Sequence, residues 1–533
     1  MNGGRATSSS GTTGPPCIAA AASTTRSTGA NCAAPPRWTW NWPRPDAPPG
    51  PRGPARAAMA RPRAVLACEH AMALHRIITT WGETIMSADP SAVHQPALPA
   101  RSAGVAASAM GAPIPTSFWG YVKSFGPGIV LVLTWLGAGD LVDNAMAGAH
   151  YGYALMWGLA LALLVRYFLV SIIAHYQLMN VRGHTIFEGY ALVWKYYPIL
   201  LGVGGIVLGH FYESYTIRGS GEALYHLTGE SGSVLLWSVF AVIAAVAITG
   251  KAVYRYLETV EKVILVVLAA SLVGGAIMAR PDVGAIVTGT FAFETPTQVG
   301  AFGAVVIVVS LIGAVGGSLA NLLYPTFMKE KGYIRPEHRR VQRYDLLFGI
   351  FVIIVLDLAV WVMGAEVLHP RGITIEDFND LAQLLGQVAG RAGEIIIYLG
   401  VLCACFSSVI GYAHGFPKMA MECLYCVAPA RKEKYRDAPS KDPAFRVAYF
   451  LVAILPLVWA IPGMPGFIWL TVFVNAAQIV LMPLVSIGLI VLINRKDLMG
   501  DLAGNKLHTI VLVLLTLLAI WGSYVTFNAM LGG

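Results

Sequence analysis

Charged side chains are scarce in this chain of 533 residues, since Asp, Glu, Lys and Arg together make up 12% of it, whereas hydrophobic residues make up 56%. Ordinary soluble domains carry about 25% charged residues. A soluble protein with a large core is therefore excluded, because apolar runs long enough to cross a bilayer recur from residue 124 to residue 529. We expect an all-α polytopic membrane protein with about eleven spanning helices.

The motifs of several enzyme classes are also missing. The chain has no Walker lysine loop, no His-Glu-x-x-His, no dinucleotide fingerprint and no Gly-x-Ser-x-Gly elbow. We therefore expect neither an enzyme nor a permanently bound cofactor. Seven cysteines form no disulfide framework, and the Cys423–Cys426 spacing lacks the second pair of a metal or redox motif. We interpret them as ordinary buried or interfacial thiols.

The net charge of +8 does not indicate a nucleic-acid partner, because the basic residues crowd alternate loops. This is the positive-inside pattern of a protein embedded in a lipid bilayer. The intervening loops carry acids instead, at Glu230 and from Glu376 to Asp380. We predict a multi-pass protein of the cell (inner) membrane with a cytoplasmic N-terminus. The basic residues of the inner loops are Arg182, Lys195, Lys251, Arg255, Lys262, Lys329, Lys331, Arg335, Arg339, Arg340, Arg343, Arg431, Lys432, Lys434, Arg436, Lys441, Arg495 and Lys496.

The chain divides into two parts by composition. Residues 1–112 are rich in Ala, Pro and Arg without sustained periodicity, so we expect a disordered tail. Residues 113–533 form the predicted transmembrane domain. The first five helices and the next five each open with a glycine-broken segment, which indicates a LeuT-type 5+5 inverted repeat plus an eleventh helix. The predicted helices lie near 124–147, 152–178, 199–227, 233–250, 257–279, 301–325, 344–365, 394–423, 445–462, 467–493 and 508–529.

Two of these segments, the first and the sixth, are predicted to be broken. Asp140 follows Gly137 and Gly139 in the first, and Gly316 and Gly317 interrupt the sixth. A carboxylate at bilayer depth is costly, so its default interpretation is functional. Paired broken helices in corresponding halves of a chain indicate the binding site of a secondary transporter. Without a nucleotide site, the energy for transport would come from an ion gradient or the membrane potential.

The first segment offers oxygen ligands. Asp140 and Asp143 share a helix face, and Asn144 follows. Carboxylates, an amide and carbonyls freed near Gly137 suit a hard cation such as Mg²⁺, Ca²⁺ or Mn²⁺. The alternative is that Asp143 and Asn144 only bond the helix break.

In the sixth segment, carbonyls near Gly316 and Gly317 are candidate ligands, as is an amide oxygen of Asn475 or Gln478 in the tenth. The alternative for these glycines is a close helix interface.

Further polar groups lie within apolar segments. Glu222 follows Arg218 by four residues, so the two can pair, which leaves Glu213 for a proton or ion relay. Arg166 and Asp357 are each more readily structural when taken alone. Together, these groups indicate an aqueous pathway.

With these residues in view, the chain resembles the Nramp family of proton-coupled divalent metal transporters over about residues 124–530. The order and the spacing of the segments agree with those of the family, and so do several local motifs. These motifs are Gly126-Pro127-Gly128, Ala147-Gly148-Ala149, Gly152-Tyr153-Ala154-Leu155-Met156-Trp157, Ser407-Ser408 with Gly411, and Arg495-Lys496-Asp497-Leu498-Met499-Gly500.

The chain departs from the family at the metal site. The family's Asp-Pro-Gly-Asn corresponds to Gly137–Asp140 here, and Gly317 takes the place of the methionine in its Met-Pro-His. Loss of a soft thioether favours a hard ion such as Mg²⁺ or Mn²⁺. In the family's proton route, Glu213 matches one acid, Thr216 replaces another, and Arg446 approximates the basic end.

The resemblance thus implies import of a divalent cation as substrate, and protons are its second expected partner in the family. The residues of this chain indicate Asp140 as the main ligand. Two rival functions stay open from the residues. One is a carrier of an organic solute, such as an amino acid or amine, on the same fold. The other is a non-transporting membrane sensor that has lost the site.

Overall fold

The computed structural model describes residues 112–115, 117, 120–121, 137–248, 252–297, 302–317, 319–436 and 439–530. The predicted tail, except residue 112, lies outside these residues, as does the first half of the predicted first helix, with its Gly126-Pro127-Gly128 motif.

The described regular structure is helical, and its α-helices are numbered here in chain order. The first seven are α1 (Ala138–Tyr151), α2 (Met156–Met179), α3 (Ile186–Val193), α4 (Tyr197–Leu227), α5 (Val234–Ile248), α6 (Ala252–Met278) and α7 (Val283–Ala292). The next five are α8 (Ala304–Leu311), α9 (Tyr324–Glu330), α10 (Arg339–Val362), α11 (Phe378–Val427) and α12 (Pro429–Lys434). The last five are α13 (Pro443–Tyr449), α14 (Phe467–Ala477), α15 (Met482–Asn494), α16 (Lys496–Met499) and α17 (Lys506–Met530).

The sixth predicted segment is broken, as expected. Helix α8 widens into a π-helical turn over Ile312–Gly316, and a 3₁₀ turn over Leu319–Leu323 leads into α9. Between the two turns, Gly317 has φ +71°, a left-handed conformation that costs other residues more than glycine. In the first segment, α1 begins at Ala138 after an extended Gly137. The described residues therefore show a break in the sixth segment and a helix start in the first, both inside the protein.

Seven helical segments in the described ranges are long and apolar enough to cross a membrane, or eight if α6 and α7, bent by 103°, count as one span. Three of the eleven predicted spans do not meet this test. The first lies partly outside the described residues, α5 has only 15 residues, and α4 carries polar residues such as Glu213 that lower its mean hydropathy. The all-α, multi-pass architecture agrees with the sequence prediction.

Helix α11 begins earlier than predicted. We expected residues near 376–380 to form an acidic loop before a helix at 394, but α11 starts at Phe378 and bends at Gly390. The reason is a capping box, in which the Asp377 side chain accepts from the Asp380 backbone N–H and the Asp380 side chain accepts from that of Asp377. Asp377 and Asp380 therefore cap the N-terminus of α11 and do not form a loop.

Close backbone packing positions α1, every residue of which is buried. At its crossing with α10 and the following π-helical turn, a Cβ on Gly148 would lie 2.4 Å from the Trp361 carbonyl oxygen. A Cβ on Gly364 would lie 2.7 Å from the Ala145 carbonyl oxygen. Small residues of this kind let membrane helices approach closely, and here they hold α10 against the helix that carries Asp140.

We expect Gly148→Ala to destabilise the protein, because the added methyl group overlaps the Trp361 carbonyl and overpacking costs about 1–3 kcal/mol. The matched control is Gly274→Ala on α6, where nothing lies within 4 Å of the added Cβ. Thermal unfolding in detergent should show a lower midpoint for Gly148→Ala and an unchanged or higher one for Gly274→Ala. Equal midpoints would contradict the close crossing.

Candidate metal site

Asp143 ties α1 to two other helices. Its Oδ2 accepts hydrogen bonds from Ser310 Oγ of α8 at 2.7 Å and from Asn475 Nδ2 of α14 at 3.0 Å. The side chain is fully buried, and Oδ1 has no hydrogen-bond partner in the described part of the chain. A buried acceptor without a partner is costly, so Oδ1 is a candidate ligand atom.

The network continues from Asn475 to α4. Gln478 Nε2 donates to Asn475 Oδ1 at 3.4 Å, and Tyr212 OH donates to Gln478 Oε1 at 2.6 Å. Both amides that the sequence analysis proposed as ligands are therefore near Asp143, and both of their oxygens already accept a hydrogen bond. Tyr212 and Ser310 were not predicted; their only sequence signal is a polar group within an apolar segment.

Asp140 and Asn144 are also buried on α1, with exposed fractions of 4% and 0%. Asn144 Nδ2 donates to the Asp140 backbone oxygen at 2.8 Å, as the alternative of local helix bonding expected. Asn144 Oδ1, however, has no partner among the described residues. The amide thus bonds the helix with its nitrogen and leaves its oxygen for a ligand.

The carbonyls at the two helix breaks are already hydrogen-bonded within the protein. Val315 O accepts from Arg166 Nη1 at 2.9 Å, and Gly316 O accepts from Asn321 Nδ2 at 3.1 Å. Gly137 O accepts the first helical bond of α1, from Leu141 N at 3.4 Å. A carbonyl has two lone pairs, so each of these oxygens retains capacity for a cation.

Gly313 brings the sixth segment against the tenth. A Cβ there would lie 1.8 Å from the Asn475 backbone oxygen and 3.1 Å from Gln478 Cγ. The alternative of a close glycine interface, offered for Gly316 and Gly317, therefore describes Gly313. This contact holds the sixth-segment break beside the amides that bond Asp143.

Two charged residues that the sequence analysis treated as structural belong to the same region. Asp357 of α10 is fully buried, and neither of its carboxylate oxygens has a hydrogen-bond partner in the described ranges. Arg166 of α2 is 9% exposed, and its Nη1 donates to Val315 O at the sixth-segment break. Helices α2 and α10 therefore carry two further buried charged groups.

The predicted ion pathway is less connected. Glu213 of α4 is fully buried and accepts from Thr216 Oγ1 at 3.2 Å, whereas Arg446 of α13 is exposed. No hydrogen bond or ion pair joins Glu213 to Arg446 within the described residues. The Arg218–Glu222 pair forms as predicted, with Nε and Oε1 2.7 Å apart.

The candidate ligands are oxygen atoms and not the nitrogen and sulfur atoms of histidine and cysteine. Among the residues that the structure describes, no group of three or more His, Cys, Asp and Glu side chains could hold a metal ion. What the region offers is carboxylate, amide and carbonyl oxygen, the ligand types of hard divalent cations.

Comparisons with known proteins identify the relatives of this chain. The family model Nramp, described as natural resistance-associated macrophage protein-like, matches residues 128–528. A divalent metal cation transporter MntH of Chromohalobacter salexigens is 22% identical over 312 residues, which cover 56% of this chain and 70% of that protein. The MntH of Burkholderia ambifaria is 24% identical over 426 residues, or 75% and 88% of the two chains.

Among solved structures, a manganese transporter of Eremococcus coleocola, crystallised with an aromatic bis-isothiourea substituted compound, has a TM-score of 0.58. Its sequence is 15% identical, and the match covers 80% of this chain and 91% of that one. The likeness confirms the fold class, all-α with the LeuT-type inverted repeat.

We expect Asp143→Ala to destabilise the protein more than Ser310→Ala. The first leaves the Asn475 amide without this acceptor, at about 1–3 kcal/mol for an unsatisfied group, and Ser310 keeps only its bond to Val472 O at 3.2 Å. The second removes a single donor to Asp143. Thermal unfolding of the purified proteins in detergent measures the difference. A double variant, Asp143→Ala with Asn475→Ala, should lose less than the two single losses together; strict additivity would contradict the coupling.

Proposed function

The chain belongs to the Nramp family, and on that premise we propose that it is a secondary transporter that imports a divalent metal cation across the cell membrane. It is a transporter and not an enzyme. The observation that carries the proposal is the sixth-segment break at Gly317 together with the start of α1 after Gly137, with buried side-chain oxygens on α1. Membership of this family does not favour the organic-solute carrier or the sensor.

The proposed ligand set consists of Asp140 as the main ligand, with Asp143 Oδ1 and Asn144 Oδ1. Both of the last two oxygens are buried without a partner in the described region, so a cation would satisfy them. Carbonyls at Gly137 and Gly316, and the amides of Asn475 and Gln478, complete a site made only of oxygen. Such a site suits Mg²⁺ or Mn²⁺ better than a sulfur-seeking ion such as Cd²⁺.

The proposed orientation places the N-terminus in the cytoplasm of a cell whose inner membrane holds the protein. It is supported by the basic residues, which crowd the loops assigned to the inside. Inward movement of a divalent cation then follows the membrane potential, which contributes about 2.3 kcal/mol for each charge per 100 mV.

Uptake into proteoliposomes tests the proposal. We expect Mg²⁺ or Mn²⁺ to accumulate under a negative-inside potential. Because the ligands are hard, each of these two ions should inhibit uptake of the other more strongly than Cd²⁺ does. Asp140→Ala should reduce uptake to the level of empty liposomes while the protein still elutes as a folded species.

The matched control is Glu376→Gln, an exposed acid far along the chain from the site, which should transport normally. Near-normal uptake by a folded Asp140→Ala protein would remove Asp140 from the site. Uptake of Cd²⁺ unaffected by Mg²⁺ or Mn²⁺ would contradict an oxygen-only ligand set.

We propose further that uptake is weakly coupled to protons or uncoupled. A proton relay needs closely spaced titratable groups, and Glu213 contacts Thr216, which does not titrate, while no bond joins it to Arg446 in the described part of the chain. A pH-sensitive dye inside the liposomes should therefore record little acidification during metal uptake. Robust acidification that Glu213→Gln abolishes would show that the coupling survives.

A further inference from the structure

A group of basic side chains, termed here the basic cluster, lies at one end of the helix bundle and contains none of the candidate metal ligands. Its members are His175 of α2, Arg339 and Arg343 of α10, and His508 of α17. The loops that precede α10 and α17 are rich in Lys and Arg, so this end is predicted to face the cytoplasm. In that orientation the cluster lies at the level of the lipid headgroups.

Two side-chain contacts join the three helices at the basic cluster. Arg339 Nη2 donates to the backbone oxygen and to Oγ of Ser171, both at 3.1 Å. One turn further along α2, the ring of His175 packs edge-on against that of His508, with the ring centroids 5.0 Å apart. Residues four apart in a helix are neighbours, so Ser171 and His175 share a face of α2. The starts of α10 and α17 therefore both touch this face.

The guanidinium charges of the basic cluster have no counter-charge in the part of the chain that the structure describes. Arg343 follows Arg339 by one turn on the same face of α10, and its side chain is exposed. No ion pair joins either arginine to a carboxylate of the described residues. The two carboxylates nearest in sequence pair with other cations, in Lys331–Asp345 and Arg335–Glu337. The cluster therefore presents two positive charges that an anion can neutralise.

Apolar side chains continue the same surface toward the membrane interior. On α2, Leu164 and Phe168 precede Ser171 and His175 on one face, at spacings of three and four residues. Leu164 is 55% exposed. Exposed apolar side chains also follow the cluster on the other two helices, at Leu347 and Phe351 of α10 and at Ile510 and Leu514 of α17. A polar, cationic end thus leads into surfaces that suit acyl chains.

We propose that the basic cluster binds the headgroup of an anionic phospholipid, such as phosphatidylglycerol, whose acyl chains lie along these apolar faces. Phosphodiester oxygens accept charge-assisted hydrogen bonds from guanidinium groups, whose planar fork suits them. A headgroup without an ammonium group avoids repulsion by the two arginines. Basic pockets between helices on the cytoplasmic side bind such headgroups in other membrane proteins. The inference concerns a lipid ligand and does not depend on the transported ion.

Thermal unfolding of the delipidated, full-length protein in detergent micelles tests the proposal. We expect added phosphatidylglycerol to raise the unfolding midpoint, because a ligand that binds only the folded state stabilises it. Phosphatidylcholine at the same mole fraction should raise the midpoint less, since its ammonium group opposes the cluster. Inorganic phosphate should leave the midpoint unchanged, because it has no acyl chains. No rise with phosphatidylglycerol, or a rise matched by phosphatidylcholine or by phosphate, would overturn the proposal.

Substitutions locate the lipid effect. Arg343→Gln removes an exposed charge, so the protein should still fold. The phosphatidylglycerol fraction that gives half of the midpoint rise should increase at least about tenfold, as expected for loss of a hydrogen bond to a charged group. Arg339→Gln should act in the same direction, and Arg343→Gln decides if that variant does not fold.

The matched control is Arg436→Gln, which removes the same charge from another loop predicted to be cytoplasmic, where the arginine pairs with Glu433. It should leave the response to phosphatidylglycerol unchanged. An unchanged response in Arg343→Gln, or an equal loss in Arg436→Gln, would show that the lipid senses only the general charge of this side, and the site would be refuted. Either result leaves the proposed transport function standing, because no metal enters the measurement.

Discussion

The structure depends on how it compensates charges that the bilayer does not solvate. Asp143 is the centre of this compensation, because one carboxylate oxygen accepts from both Ser310 and Asn475 and so joins α1 to α8 and α14. Helix α8 runs into the sixth-segment break, and α1 begins directly after Gly137. The same hydrogen bonds make the buried carboxylate tolerable and hold these helices together.

The helix breaks obey the same constraint. Unwinding at Gly317 would leave buried carbonyls without partners, and each would cost free energy comparable to a lost hydrogen bond. Arg166 and Asn321 supply the missing donors to Val315 and Gly316. Both carbonyls at the break therefore have hydrogen-bond donors from within the protein.

Sequence alone predicts much of this arrangement, for reasons specific to each element. Long apolar segments are easily seen, and Asp140 and Gly317 stand out because a carboxylate and a glycine pair are rare at such depth. The partners across helices are not predictable in the same way. Ser310, Tyr212 and Asp357 meet the site only through the relative rotation of helices, which no local pattern encodes. The early start of α11 depends on the Asp377 capping box, a local signal that the apolar periodicity concealed.

The two halves of the repeat contribute opposite partial charges. Asp140 lies in the first turn of α1, where the exposed N–H groups of a helix end stabilise a negative side chain. The α8 end of the sixth segment presents carbonyl oxygens, which attract a cation. Arg166 already places a guanidinium against those carbonyls. The first half thus places a carboxylate at a helix N-terminus, and the second half places carbonyl oxygens at a helix C-terminal end.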